Sequence, residues 1–319
     1  MNIRGIYVQK SLHAITCHIA GRLLADCWQH PEASDSPYYY RTIIGKSAAA
    51  HQSILLHDAR IQEAVWMQGI VTTGTVSFEN ARIGGEIRMD VWSPRVGATR
   101  QNHIRTRLGA NQLGGFYEES LNLRSANIES NVILDGIQTK GRIIAHNCRI
   151  LGALLCRPKA EVRPLIGANS KGRSLSLHAA AVTGDLNFSG SFFHGGLRLR
   201  YAKIDGAVIG RPVRLSGLND VFATSIGVTH DGDSLYLYGA TIGGNLCCQE
   251  AVFKGAISLE LATIHGSVEI DKSSFAIVTI DALTFPSIIL KRSKIYNNLD
   301  AHGCTGLGPI DASGLQKVG

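Results

Sequence analysis

The sequence predicts an all-β chain folded as a single parallel β-solenoid, and three features of its 319 residues carry that prediction. The first is an 11-residue repeat, A-x-I-x-G-x-L-x-L-x-x, clearest where Ala240, Ala251 and Ala262 open ATIGGNLCC, AVFKGAISL and ATIHGSVEI. The second is alternation: across positions 1, 3, 5, 7 and 9 of 12 such units, Glu63 is the only charged residue. The third is glycine, which fills position 5 in 10 of those 12 units out of 35 glycines in the chain.

The units come in threes. Four blocks, Ile54 to Met89, Leu121 to Cys156, Leu175 to Gly210 and Leu235 to Ile270, each hold three units introduced by an apolar pair. Partial units extend the pattern to Ile6 on one side and to Cys304 on the other. A period of two implies extended strands with one face buried. An 11-residue unit then holds two short strands separated by corners, with the glycines as corner residues needing positive φ or close backbone approach. Two units make a coil of about 22 residues, and stacked coils satisfy one another's backbone at about 4.8 Å. The fold class is therefore a right-handed β-helix of the solenoid type. Leucine-rich and hexapeptide repeats have other periods, and helical repeats need a 3.6-residue period that is absent.

Middle units differ from their neighbours, as at Ile70, Ile137 and Ser191, which supports two unit types per coil. A fourth unit would complete the second coil of each block, and irregular stretches stand in its place: 26–53, 90–120, 157–174, 211–234 and 271–287. The phase of the repeat brings all five out on one side of a single continuous domain. Loops on a rigid scaffold commonly carry function, so recognition is expected there.

Composition narrows the function classes. A charged fraction of 18% against 45% hydrophobic residues, with a mean hydropathy of +0.06, argues against disorder. No run approaches the roughly 18 apolar residues of a membrane span, and the first residues lack a signal-peptide core. The expected location is the cytoplasm, with peripheral membrane association as a further option. Seven cysteines without CxxC spacing argue against a disulfide framework or zinc ribbon. Cys17, Cys148, Cys156, Cys248 and Cys304 fall on inward positions and read as small core hydrophobes, while Cys247 and Cys248 point to opposite faces.

The A-x-I-x-G and L-x-L steps resemble pentapeptide-repeat proteins, whose coils put a small residue at i−2 and an aliphatic one at i on the inside. A nearer likeness, over residues 6 to 304, is to bacterial proteins with A-R-I-G-G-x-L-x-L units, some of which carry the label membrane-associated oxidoreductase. No G-x-G-x-x-G opening a helix and no P-loop stands in this chain to support an oxidoreductase or nucleotide cofactor.

No catalytic residue, cofactor site or metal site is assigned. The 12 histidines show no HExxH, and His57 and His178 share position 10 with Arg124 and Tyr238 as a surface stripe. The carboxylates Glu86, Asp185 and Asp205 sit at different outward positions and form no acid–base pair. Two basic features suggest a partner surface: the outward ladder Arg82, Arg149 and Lys203, with His18 before it, and the stretch holding Arg157, Lys159, Arg163, Lys171 and Arg173 against the single acid Glu161. Tyr38, Tyr39 and Tyr40 are a further contact candidate. The expected function is a non-catalytic scaffold that binds another macromolecule, foremost a protein, through loops on one face. The alternative is a β-helix enzyme or binder acting on acidic polysaccharide or an anionic surface, including a membrane. A net charge of +7 does not suit mimicry of DNA. The ends fit mid-block, so the chain is expected to continue a longer array or to stack end to end on another copy.

Overall fold

A computed structural model of the chain describes residues 1–29, 39–48, 51–94, 103–113, 115–214, 220–276, 279–280, 283–284 and 286–317. Parts of four of the expected loops, and Tyr38, lie outside the described residues. The chain winds through four parallel sheets in turn. Sheet 1 runs from Tyr7–Val8 to Ser274–Phe275, and sheet 2 from Leu12–His13 to Ile310–Asp311. Sheet 3 runs from His18–Ile19 to Gln316–Lys317, and sheet 4 from Leu23–Leu24 to Leu299–Asp300. The result is an all-β parallel solenoid with a four-sided coil. Its shortest coils step by 22 residues, as where Val65 pairs with Ile87, Leu186 with Val208 and Leu246 with Val268.

Alternation builds the core. In the unit beginning at Ala81, Ala81, Ile83, Ile87 and Met89 are all at most 1% exposed, while Arg82 between them faces solvent. Inward ladders of Ile, Val, Leu and Phe run the length of the coil stack, with Phe188 edge-on to Phe193 and Phe253 stacked on Phe275 at 5.1 Å. Equivalent side chains stack from coil to coil, as Phe253 does on Phe275, so burial accumulates along the axis rather than around a centre.

Of the two reasons expected for glycine at the corners, close backbone approach applies at position 5 and positive φ does not. In all 12 units the left-handed backbone falls one residue before the unit, at Asp58, Asn80, Ser125, Asn147, Ala179, Tyr201, Glu250, Leu261 and four glycines. These residues occupy the third place of a tight turn closed by bonds such as Ala81 N–H to Phe78 O at 3.0 Å and Ala202 N–H to Leu199 O at 3.0 Å. Position-5 glycines have ordinary φ and are required by close approach instead. A Cβ on Gly266 would stand 2.0 Å from Asn245 Oδ1 and 2.7 Å from the Gly244 carbonyl of the preceding coil. Gly21 holds the same place in its unit, but a Cβ there would meet nothing within 4 Å. Each coil thus alternates left-handed turns, at the corners leading into sheets 3 and 1, with glycine contacts at the corners leading into sheets 4 and 2.

Two corners never change length among the described coils. Each sheet 2 strand ends five residues before the next sheet 3 strand begins, as from Leu55 to Arg60, Ser77 to Arg82 and Ser258 to Thr263. The step from sheet 3 to sheet 4 is equally constant, as from Ile83 to Ile87 and Ile204 to Val208. All added length flanks sheet 1. Antiparallel pairs Trp28–Gln29 with Tyr39–Tyr40, and Val213–Arg214 with Val221–Phe222, precede its strands, and pairs Gln112–Leu113 with Phe116–Tyr117, and Thr279–Ile280 with Leu283–Thr284, follow them. The five stretches read as irregular are not strandless. They contain the sheet 1 strands Ile43–Ile44, Arg107–Leu108, Leu165–Ile166, Ser225–Ile226 and Ser274–Phe275, so the fourth unit is present in degenerate form and sheet 1 closes each of these turns.

Candidate interaction surface

A second, weaker repeat fastens the insertions to the solenoid. The segments Arg41-Thr42-Ile43-Ile44-Gly45, Arg105-Thr106-Arg107-Leu108-Gly109, Arg163-Pro164-Leu165-Ile166-Gly167 and Ala223-Thr224-Ser225-Ile226-Gly227 occupy equivalent places beside sheet 1. Each threonine hydroxyl closes the mouth of an insertion. Thr106 Oγ1 accepts the Gly69 N–H at 2.7 Å and donates to Asp90 O at 2.6 Å, and Thr42 and Thr224 repeat the pattern with Gly5 and Asp26, and with Gly190 and Arg211. The hydroxyl supplies the hydrogen bonds that a tight corner makes with its own backbone, which is how the coil admits an insertion without leaving buried groups unpaired.

The arginines form a chain along the axis. Arg41 donates to Gly69 O at 3.0 Å and to Arg105 O at 2.7 Å. Arg105 in turn donates to Arg163 O at 2.9 Å, and Arg163 to Gly190 O at 3.0 Å and to Ala223 O. One insertion is therefore tied to the next across the intervening tight coil. Burial pushes all three guanidinium groups below their usual range, a sign that they stand in the wall rather than on it. Nothing in the 11-residue period marks these residues; the signal that could have found them is the recurrence of arginine three residues before an aliphatic–glycine pair.

The basic residues singled out in the sequence separate into two groups. In the stretch 157–173, Arg157 grips Asp135 with Nη2 at 2.8 Å and Nε at 3.3 Å, and Lys159 reaches Asp90 at 2.5 Å. Arg163 lies over the Phe192 and Phe222 rings at 5.2 and 6.0 Å, and Arg173 faces Asp231 at 3.4 Å. Asp90 is 2% exposed; its burial raises its pKa against the pull of Lys159, so this pair neutralises a charge that the fold would otherwise strand. Only Lys171 of the five points freely into solvent. The charge of this insertion is largely consumed in holding it.

The second group stays open. Sheet 3 aligns the outward residues His18, Arg60, Arg82, Asn127, Arg149, Ala181 and Lys203 on consecutive coils. Arg60, Arg82 and Arg149 are exposed and make no ion pair among the described residues, whereas Lys203 lies 3.3 Å from Asp205. Arg60 was overlooked because it belongs to the first unit of its block, yet the fold puts it between His18 and Arg82. A shallow groove of about 880 Å³ runs beside these three, lined also by Thr16, Asp58, Asn80, Ser125 and Asn127.

Sheet 2 carries the histidine stripe. Its positions follow His57, Glu79, Arg124, His146, His178, Arg200 and Tyr238 coil by coil: the carbonyls from Glu79 onward accept the N–H groups of Asp58, Asn80, Ser125, Asn147, Ala179 and Tyr201 on the preceding coil. Its members satisfy one another: Arg124 and Arg142 bind Glu119, His146 Nε2 is 2.6 Å from Ser176 Oγ, and Arg200 covers the Tyr201 and Tyr238 rings at 4.9 and 5.5 Å. Burial, joined by the Arg124 and Arg142 charges, pushes His146 down to about 4. Burial beside Asp231 pushes Asp233 up to about 7. Among the described residues no three His, Cys, Asp or Glu side chains gather as a metal site.

The carboxylates remain apart. Asp185 Oδ1 accepts the Ala207 N–H at 2.8 Å, as Asn131 and Asn245 do for Ala153 and Ser267, while Glu86 meets Trp66 and Arg88. All seven cysteines are free, so the adjacent Cys247 and Cys248 are not disulfide-bonded. Burial raises the thiols of Cys27, Cys148 and Cys156 to about 12, which keeps them protonated and inert.

The described strands of the hairpins expose apolar groups. Tyr40, Phe116, Tyr117 and Val221 stand on the hairpins beside sheet 1 and are 55%, 62%, 39% and 48% exposed. No helix among the described residues is long and apolar enough to cross a membrane. Comparison with known proteins finds no family model, curated protein or solved structure that matches the chain.

Proposed function

We propose that this protein is a non-catalytic scaffold that binds a protein partner through the insertion-bearing side of its solenoid. The observation that carries the reading is the confinement of all length variation to the two corners of sheet 1, with aromatic and aliphatic side chains exposed at the hairpins there. Rigid placement of Tyr40, Phe116 and Tyr117 lowers the entropy cost of ordering them at an interface, and large amphipathic rings are what protein interfaces favour. The Arg-Thr fastenings supply that rigidity. The inward small residue and aliphatic, Ala81 and Ile83 in one unit, support the resemblance to pentapeptide-repeat proteins, and the free thiols support a reducing compartment.

The test is site-directed photo-crosslinking of the intact chain in cells that produce it. With p-benzoylphenylalanine at position 116 or 221, one protein partner is expected to be captured at both positions, and Phe116→Asp is expected to weaken its capture from position 221. The same group at position 149 on sheet 3 is expected to yield none of that partner. Equal capture from position 149, or no specific adduct from 116 and 221, would overturn the reading.

A further inference from the structure

From the outward ladder of sheet 3 we infer a second binding surface, independent of the insertions: a track for a single chain of acidic polysaccharide, carboxylated or sulfated, laid along the solenoid axis. Parallel pairing places His18, Arg60 and Arg82 on three consecutive coils, about 4.8 Å apart, with Arg149 two coils further on. The file is one residue wide and keeps its register, because sheet 3 has corners of constant length on both sides. Among the described residues Arg60, Arg82 and Arg149 hold no ion pair, in contrast to Arg157, Lys159 and Arg173 of the insertion, so their charge is available without breaking an ion pair of the fold. Two acids stand nearby, Asp58 in the groove and exposed Glu129 beside the ladder, and they leave the cations in excess.

The groove lining selects among polyanions. Thr16, Asn80, Ser125 and Asn127 offer hydroxyls and amides that can both donate to and accept from sugar hydroxyls. No Trp, Tyr or Phe lines it, so bases of a single-stranded nucleic acid would find no stacking platform. A single file of cations meets one strand of charge, not the two phosphate rows of a duplex. An anionic lipid surface would call for a broader basic cluster than this line supplies.

The experiment titrates the full chain with oligogalacturonate and with a sulfated heparin-type oligosaccharide. A neutral oligosaccharide of equal length, oligo-dT and vesicles containing phosphatidylserine serve as comparison probes. Binding of at least one acidic oligosaccharide, weakening at high salt, is expected, with the double variant Arg60→Gln/Arg82→Gln losing at least tenfold in affinity while its melting temperature stays unchanged. Lys171→Gln, an equal loss of charge on the insertion, is expected to bind as the parent does. Failure of both acidic oligosaccharides to bind at low salt, equal affinity of the double variant, or tighter binding of oligo-dT or vesicles would each overturn the assignment.

Discussion

The two halves of the coil obey different rules. From sheet 2 through sheet 3 to sheet 4 every described turn has the same length and a two-residue sheet 3 strand. Around sheet 1, alternate turns open into hairpins. The constant half is locked twice, by a left-handed tight turn at one corner and, in most units, by a glycine pressed on the preceding coil at the other. At sheet 1 the same corners recur in the tight coils, but Thr42, Thr106 and Thr224 replace backbone partners with hydroxyls, which frees the chain to leave and return. Insertion is therefore tolerated where a side chain can stand in for the backbone, and excluded where the neighbouring coil lies in van der Waals contact.

That contrast can be strained most severely at a constant corner. Gly266→Val must displace the Gly244 backbone and is expected to cost about 3 kcal/mol or more in thermal or urea unfolding. Gly21→Ala, at the same place in its unit but with open space around it, is expected to shift stability by less than about 0.5 kcal/mol. On the sheet 1 side, Arg105→Met removes the link to the Arg163 carbonyl, and a loss of about 2 kcal/mol is expected, with faster proteolysis of the adjoining insertion.

Smaller effects come from titration on sheet 2. His146 stays neutral in the folded chain down to about pH 4, while the unfolded chain takes up that proton near 6.5. The unfolded state then binds more protons, so this group's contribution is lost as pH falls from 6.5 to 4. Asp233 works in the opposite sense: it holds a proton up to about pH 7 when folded, so its contribution falls as pH rises from about 4 to 7. His146→Gln is expected to leave stability falling more steeply with rising pH across this window, and Asp233→Asn to leave it rising, in urea unfolding measured at each pH. The smallest effect is expected from Arg82→Gln, which breaks no contact and belongs within about 0.5 kcal/mol of the parent.

The strand period, the inward residues and the parallel stacking were legible because they repeat at fixed sequence distance. The role of glycine was legible only in part. Glycine marks position 5 because another coil lies against it, whereas the left-handed residue one place before each unit tolerates Asp, Asn, Ser, Tyr or Leu and so leaves no single-letter signature. The state of the basic residues was hidden for a different reason. Arg157 and Lys159 look free in a stretch with one acid, but Asp135 and Asp90 lie 22 and 69 residues away and are delivered by coil stacking. Arg60 belongs to a different unit of its block from Arg82 and Arg149, and only the pairing of consecutive coils brings it into their file.

The central claim is that one half of the coil fixes the repeat and the other half admits insertions. Circular dichroism melts of two deletions test it most directly. Replacing residues 212–223 by a single glycine shortens an open turn to the tight form, and the chain is expected to keep one cooperative β-sheet transition within a few degrees of the parent. Deleting Gly84 alone shifts the next sheet 4 strand by one residue and turns Ile87 outward, so that transition is expected to be lost or broadened. A trimmed chain that fails to fold, or a Gly84 deletion that melts like the parent, would contradict the account.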